Sequence, residues 1–578
     1  MKIARIRIQR FRGFECAIVQ TPGHLAAVGE PRAGRSDLIE AIRRVLDPRS
    51  TASRVNPLDI HRPIPDDNEL PLTEVEVTLL KLGSALEQLL DAHLEVFDSI
   101  TGEIAGPEQS GTAELGVRLC YRARYDSDSD TGEHWVDWPG QSDPASGVFA
   151  KARKVEREAI PFLVVQPVPA LQLRAEGAFR ALVENAAPEE LQETLQTLWA
   201  EVTAATDTFA DSGSISSALK KVIVAGTGDL LGLTDTSEFS FVPDDGSLAA
   251  LLRALQPALA LDAAGLLPLR SHGSTTAGVL SFSEAVATAE QEPGGLVVIV
   301  DDFGDALDAP SAEYLAILLK KRAQQVIVTT RRPEVVRAFD PEEILRLTRS
   351  HGSRCQHRLE STTDRKAQKS RRDLLDQLTS AMTGSIVTLM EGSHDVEGFG
   401  AVSVRRARRS SVTSQVLPAH GVRLACAVGE HGGKDSLPEL AKLAGDLGFH
   451  VRIVVDDDKP GENDDLFDVL EELAEQLVIL PERTAVEGAL VRGINSEYLL
   501  VALQSINDDY DLRVNFDEIE LNEIADYIIK KKLLKKKNGL HRQWVNALPR
   551  KALPPIALEV LEAVCSDQKG RIRLEAPK

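Results

Sequence analysis

The chain is poor in cysteine and in long apolar runs, and so in the material of thiolate metal sites, disulfide frameworks and membrane helices. Its 578 residues include only five cysteines, and Cys16, Cys120, Cys355, Cys426 and Cys565 lie far apart with no CxxC pair. That spacing argues against a thiolate zinc site and a disulfide scaffold, and fits a reducing compartment. No apolar run reaches the roughly 18 residues that a membrane helix requires. The opening MKIARIRIQRF interleaves cations with isoleucine and lacks the apolar core of a signal peptide. A soluble, cytoplasmic protein with no membrane partner is therefore expected. Positive charge is short as well: 66 Lys and Arg against 88 Asp and Glu leave a formal charge of -22. Such a surplus disfavours indiscriminate wrapping of nucleic acid while leaving room for a local basic groove. HExxH and GxSxG are missing, so neither a paired-histidine metalloprotease nor a serine nucleophile elbow is indicated. His394, His420, His431, His450 and His541 are expected as surface or loop residues.

What remains is a globular composition, 43% hydrophobic and 27% charged, in a chain long enough for several domains. MKIARIRIQRFRGFE reads as a first strand and HLAAVG as a second, followed by a glycine loop and the amphipathic helix SDLIEAIRRVLD, with Leu38, Ile42, Val45 and Leu46 on one face. Two turn-rich acidic segments, SITGEIAGPEQSGTAELG and YDSDSDTGEHWVDWPGQSDPASG, read as surface loops. Leucines at three- and four-residue spacing between about Ala170 and Ala218 predict a helical insertion. GLVVIVDDFGDALD and QVIVTTRRPE flank a further helix, the alternation of a parallel α/β sheet, and LESTTDRKAQKSRRD reads as a linker.

The loop AVGEPRAGRS has the glycine spacing of a phosphate-binding loop between a strand and a helix, the context that motif requires. Gly29 and Gly34 let backbone N–H groups converge on phosphate, and Ser36 offers its hydroxyl to magnesium. Arg35 stands where lysine is usual. Its planar fork keeps the charge but contacts phosphate differently, so nucleotide binding is expected to survive better than hydrolysis. LVVIVDD supplies Asp301 for magnesium and Asp302, shorter in reach than the usual glutamate, for water.

The last third carries a second set of acids. SIVTLMEGSHD is an apolar strand running into Glu391, Gly392 and Asp395, and VRIVVDDDKPG is another ending in Asp456, Asp457 and Asp458. Carboxylates gathered at the C-terminal edge of a parallel sheet are hard oxygen ligands suited to Mg2+ or Mn2+, whose binding relieves their mutual repulsion. Strand alternation turns Asp457 away from its neighbours. The run KKKLLKKKNGLHR, with Lys535, Lys536, Lys537 and Arg542, forms a candidate track for a DNA backbone; VRRARRSS is a second.

Together these motifs resemble the overcoming-lysogenization-defect nucleases, with an ABC-type ATPase followed by a Toprim domain, and more distantly RecF and SMC proteins. The resemblance implies an α/β fold in which residues 1–165 and 246–360 form the ATPase around a helical dimerisation insert at 166–245. A linker at 361–380 and a Toprim domain at 381–578 follow. It also implies that Glu391, Asp395, Asp456, Asp458 and Glu487 hold metal, with Glu482 the competitor to Glu487. Glu391, Asp456 and Asp458 would be catalytic together with Lys537, and Lys536 is its understudy. Arg331 occupies the place of a histidine that senses the γ-phosphate, and LRSHGSTTAGVLS that of a signature loop. Metal-dependent DNA cleavage with two ions, ATP as regulator more than fuel, a homodimer or larger assembly, a companion helicase subunit and a role in antiviral defence or DNA repair follow from the same resemblance. In the related Gabija system nucleotide restrains cutting. The competing expectation is a RecF-like, nucleotide-gated DNA-binding scaffold that does not cleave.

Overall fold

The computed structural model describes residues 1–578 apart from 22, 53, 62–71, 107–110, 127–128, 166–170, 172–177, 211–212, 223–251, 253–256, 262–264, 292–294, 351, 409–415, 428–432, 458 and 577–578. In chain order its first strands are β1 (Lys2–Phe11), β2 (Phe14–Gln20), β3 (Leu25–Gly29), β4 (Thr73–Leu80), β5 (Glu95–Asp98), β6 (Ala113–Asp126), β7 (Thr131–Asp137) and β8 (Phe162–Val165). They are followed by β9 (Ala258–Leu259), β10 (Leu267–Pro268), β11 (Val297–Val300), β12 (Gln325–Thr329), β13 (Ile344–Ser350) and β14 (Ser353–Arg358). The remaining strands are β15 (Ile386–Met390), β16 (Val422–Cys426), β17 (His450–Val455), β18 (Gln476–Ile479) and β19 (Gly570–Arg573).

These strands make a mixed α/β fold with three main sheets. An antiparallel sheet is ordered β2-β1-β4-β6-β5, with β7 also on β6. A second sheet, β14-β13-β3-β12-β11-β8, is parallel except for its edge strand β14. The third is ordered β16-β15-β17-β18-β19 and wholly parallel. Near-continuous apolar runs such as VVIV in β11 and VRIVV in β17 are what a sheet covered on both faces demands. Leu38, Ile39, Ala41, Ile42, Val45 and Leu46 of the helix Arg35–Leu46 cover one face of the second sheet, sharing a core with the antiparallel sheet.

Three expectations are corrected. The opening segment is two strands, because Arg10 and Arg12 take positive φ and the chain reverses between Phe11 and Phe14. The second acidic loop contains β7, which hairpins back on β6 and buries Trp135 and Val136. The stretch 361–380 is no open linker: it holds the helix Arg365–Leu378, capped by Asp364, whose Leu374, Leu375 and Leu378 enter a core shared by the second and third sheets. Helices Ala178–Ala186, Pro188–Ala210 and Gly213–Val222 occupy the expected insert, and its residues 223–245 lie outside the described ones.

The second and third sheets are also tied by one buried cation. Arg346 of β13 donates to the carbonyls of Leu447 (2.7 Å), Gly384 (2.6 Å) and Met382 (3.4 Å), and its guanidinium lies 3.6 Å from the centre of the Phe449 ring. Burial lowers its pKa to about 10. On the opposite hairpin strand, His357 packs where a Cβ on Gly448 would stand.

Candidate functional site

The glycine loop follows β3. Gly29 has φ +146°, and a Cβ there would stand 2.0 Å from the Leu347 carbonyl oxygen on the neighbouring strand, so only glycine fits. Gly34, at φ +93°, turns the chain into the helix Arg35–Leu46. Ser36 Oγ donates to Asp301 Oδ1 across 3.1 Å. The hydroxyl and carboxylate that a phosphate-bound magnesium ion would share are therefore neighbours, and Thr329 Oγ1 steadies the same oxygen at 2.5 Å. Arg35 is turned towards protein: it donates to the Thr330 carbonyl at 2.9 Å. Burial lowers its pKa, against the pull of Asp302. Arg331 pairs with Asp302 at 3.6 Å and with Asp305. The segment expected as a signature loop begins with the short turn Leu269–Ser271 and continues into the helix Ser274–Gln291.

The third sheet follows the order 2-1-3-4-5 in its own strand sequence, so the chain reverses its direction of winding between β15 and β17. In such sheets ligands bind in the crevice beyond the strand C-termini at that switch point. Glu391 follows β15 and Asp456 follows β17. The Asp456 N–H donates to Glu391 Oε1 at 2.7 Å, locking the two strand ends together. Asp395, 8% exposed, sits in the first turn of the helix Ser393–Ala407 and accepts the Gly392 N–H at 2.9 Å, as a helix-capping carboxylate does. Burial first, then Glu391, raises the Asp395 pKa to about 7. Burial also pushes Asp456 well above the carboxylate range, with Asp395 and Glu391 adding to it. These acids are desolvated and repel one another.

Glu487 joins the group. It is buried in the helix Val486–Val491, and burial pushes its pKa up, but His541 and Lys535 more than reverse that and leave it lowered. Lys535 Nζ and His541 Nε2 each stand 3.1 Å from Glu487 Oε1. Its competitor Glu482 is 70% exposed and faces Arg573 at 4.0 Å. Asp457 is turned to Arg573 of β19 at 2.7 Å, and Asp458 lies outside the described residues.

The basic run divides. Lys535 faces the acids, whereas Lys536 donates to the Leu512 carbonyl at 3.2 Å and Lys537 to that of Tyr510. Arg542 is exposed on the helix Leu540–Ala547. In VRRARRSS, Arg405 is taken up by carbonyls at the end of that helix, including Asn546 at 3.0 Å and Pro549 at 2.8 Å. Arg406 pairs with Glu562 at 2.9 Å.

Two histidines expected at the surface are corrected. His541 is fully buried, and it stacks on half-buried His394 with ring centres 4.4 Å apart. A lone histidine between a charge run and an apolar stretch gives no sign of this position. Lys434, whose Nζ is 3.6 Å from Glu391 Oε1, was equally unmarked in its loop. Among the described residues no three His, Cys, Asp or Glu side chains already converge as a formed metal centre. The donor set nonetheless suits a hard cation: its acids are oxygen ligands whose repulsion a cation would relieve, and a lysine ammonium already stands beside one of them.

No family model and no curated protein matches the chain. Among solved structures it is similar to an SMC head bound to the C-winged helix domain of ScpA, at 11% identity and a TM-score of 0.35, over 62% of this chain and 98% of that one. It is also similar to the SMC head domain from Thermotoga maritima, at 11% identity and a TM-score of 0.28, over 62% of this chain and 100% of that one. Among the described residues no helix is long and apolar enough to cross a membrane.

Proposed function

We propose that this protein is a metal-dependent DNA endonuclease of the Toprim type whose ABC-like half binds nucleotide as a regulator. The observation that carries the reading is the group of carboxylates gathered at the switch point of the third sheet, Glu391 with the desolvated Asp395 and Asp456, and Glu487 beside them. Such a group is costly to keep in a protein that needs it only for packing.

Glu391 and Asp456 would hold the cation, with Asp395 and Glu487 beside them; Asp458 is expected to join. When bound, Mg2+ or Mn2+ supplies charge to activate water and to neutralise the phosphodiester. The chain's own residues prepare the site. The Asp456 N–H fixes the orientation of Glu391, His541 fixes that of Glu487, and Lys535 offers an ammonium to a phosphate oxygen. In the other half, the Ser36–Asp301 pair supports nucleotide binding with magnesium. Arg35 and Arg331 are both engaged with protein groups, which favours binding over turnover. A homodimer, a helicase partner and a defence role accompany this reading.

Supercoiled plasmid incubated with the protein and Mg2+ or Mn2+ tests it. Nicking or linearisation is expected, and an E391A/D456A double variant is expected to lose about 100-fold or more of the rate. Intact plasmid in every lane, with DNA shifted in a gel, would favour the non-cleaving scaffold.

A further inference from the structure

We propose that Lys434 is the site's own counter-ion, an ammonium that holds the place of a divalent cation beside Glu391 and Asp456 and moves aside when that cation binds. The inference rests on the hydrolase reading above. Lys434 opens the turn Lys434–Ser436 between β16 and the helix Leu437–Asp446. Its side chain is only 18% exposed, unusual for a lysine with water within reach. The ammonium is drawn inward: Nζ donates to the Asp456 carbonyl at 3.2 Å and stands 3.6 Å from Glu391 Oε1. That carboxylate oxygen also accepts the Asp456 N–H at 2.7 Å. A metal ion approaching Oε1 therefore meets a cation already placed against it.

The contact is built to be released. The Gly433 N–H donates to the Glu391 carbonyl at 3.2 Å, so the loop has a backbone anchor at the strand end besides the lysine. A lysine head on a flexible four-carbon stem can swing out without moving that anchor. One positive charge quiets the repulsion among the acids only in part; a divalent ion supplies twice the charge at the same place. The lysine thus keeps the acid group folded when metal is scarce, at the cost of weakening the binding of metal when it arrives.

Titration of Mn2+ into the metal-stripped full chain, without DNA, is the test, followed by calorimetry. K434M is expected to bind Mn2+ about tenfold more tightly than the wild type, equivalent to about 1.4 kcal/mol. K434R, which keeps the charge, is expected to bind no more tightly. Metal-free K434M should also melt at a lower temperature, with the difference shrinking in saturating Mn2+. K434Q repeats the measurement with a polar neutral side chain in case K434M does not fold. Affinity in K434M and K434Q equal to or weaker than that of the wild type overturns the inference and leaves the hydrolase reading standing. Absence of Mn2+ binding in all the proteins overturns both.

Discussion

A guanidinium at position 35 ties the glycine loop to the neighbouring strand end. Arg35 closes onto the Thr330 carbonyl, and Arg331, one residue further on, is held by Asp302 and Asp305. Both cations are thus committed to protein partners, with which a nucleotide, on the proposed reading, would have to compete. The type of each residue here was legible in the sequence; its partner was not, because hydrogen bonds between sheet-adjacent strands follow from topology and not from spacing. Asp98 shows the same principle in a structural role. The Thr112 hydroxyl, then the Thr101 N–H and hydroxyl and the Ile100 N–H, hold its pKa down to about 2 from the usual 3.8, against the effect of burial. A carboxylate depressed on folding stabilises the protein above its ordinary pKa, and that contribution fades as pH falls through the folded value. Thermal melts between about pH 5 and pH 2 should show the wild type above Asp98→Asn at the top of this range and the gap closing towards the bottom. A constant gap would rule out this account of Asp98.

Elements rather than residues set the geometry of both candidate sites. β15 and β17 were readable as apolar runs that stop at acids, since a buried parallel strand needs such a run and water is met again at its end. The order that puts β15 beside β17, with β16 on the far side, is not a property of either run. It is this order that makes neighbours of Glu391 and Asp456, and the helices beyond β18 bring in Glu487, Lys535 and His541. The glycine loop depends just as strongly on its surroundings. Gly29→Ala would drive a methyl group into the Leu347 carbonyl and force alanine to φ +146°. A loss of about 3 kcal/mol or more is expected in denaturant unfolding. Unchanged stability would mean that β3 and β13 are not held at this spacing in solution.

At the scale of the whole molecule, the second and third sheets share a continuous apolar core, in which Val298 and Val326 belong to one and Val387 and Ile453 to the other. A polar stretch that read as a linker became a packed helix, because its three inward leucines are spaced for one face and its many charges for the other. Arg346 closes the same junction from the side. Arg346→Leu would leave the carbonyls of Met382, Gly384 and Leu447 buried without a donor, a cost of about 3 kcal/mol or more. Unfolding followed by two probes, one in each half, is expected to coincide in the wild type and to separate in the variant; transitions that are separate in both would show that the halves are independent. The third sheet has a further property in time. Its strands β15 to β18 are made in succession, but β19 reaches β18 only after the long helical stretch that supplies Glu487, Lys535 and His541. A ribosome therefore delivers Glu391 and Asp456 well before the edge of β18 is covered and before Arg573 arrives to neutralise Asp457. During translation the acid crevice is begun with the first strand of its sheet and is among the last parts to be completed.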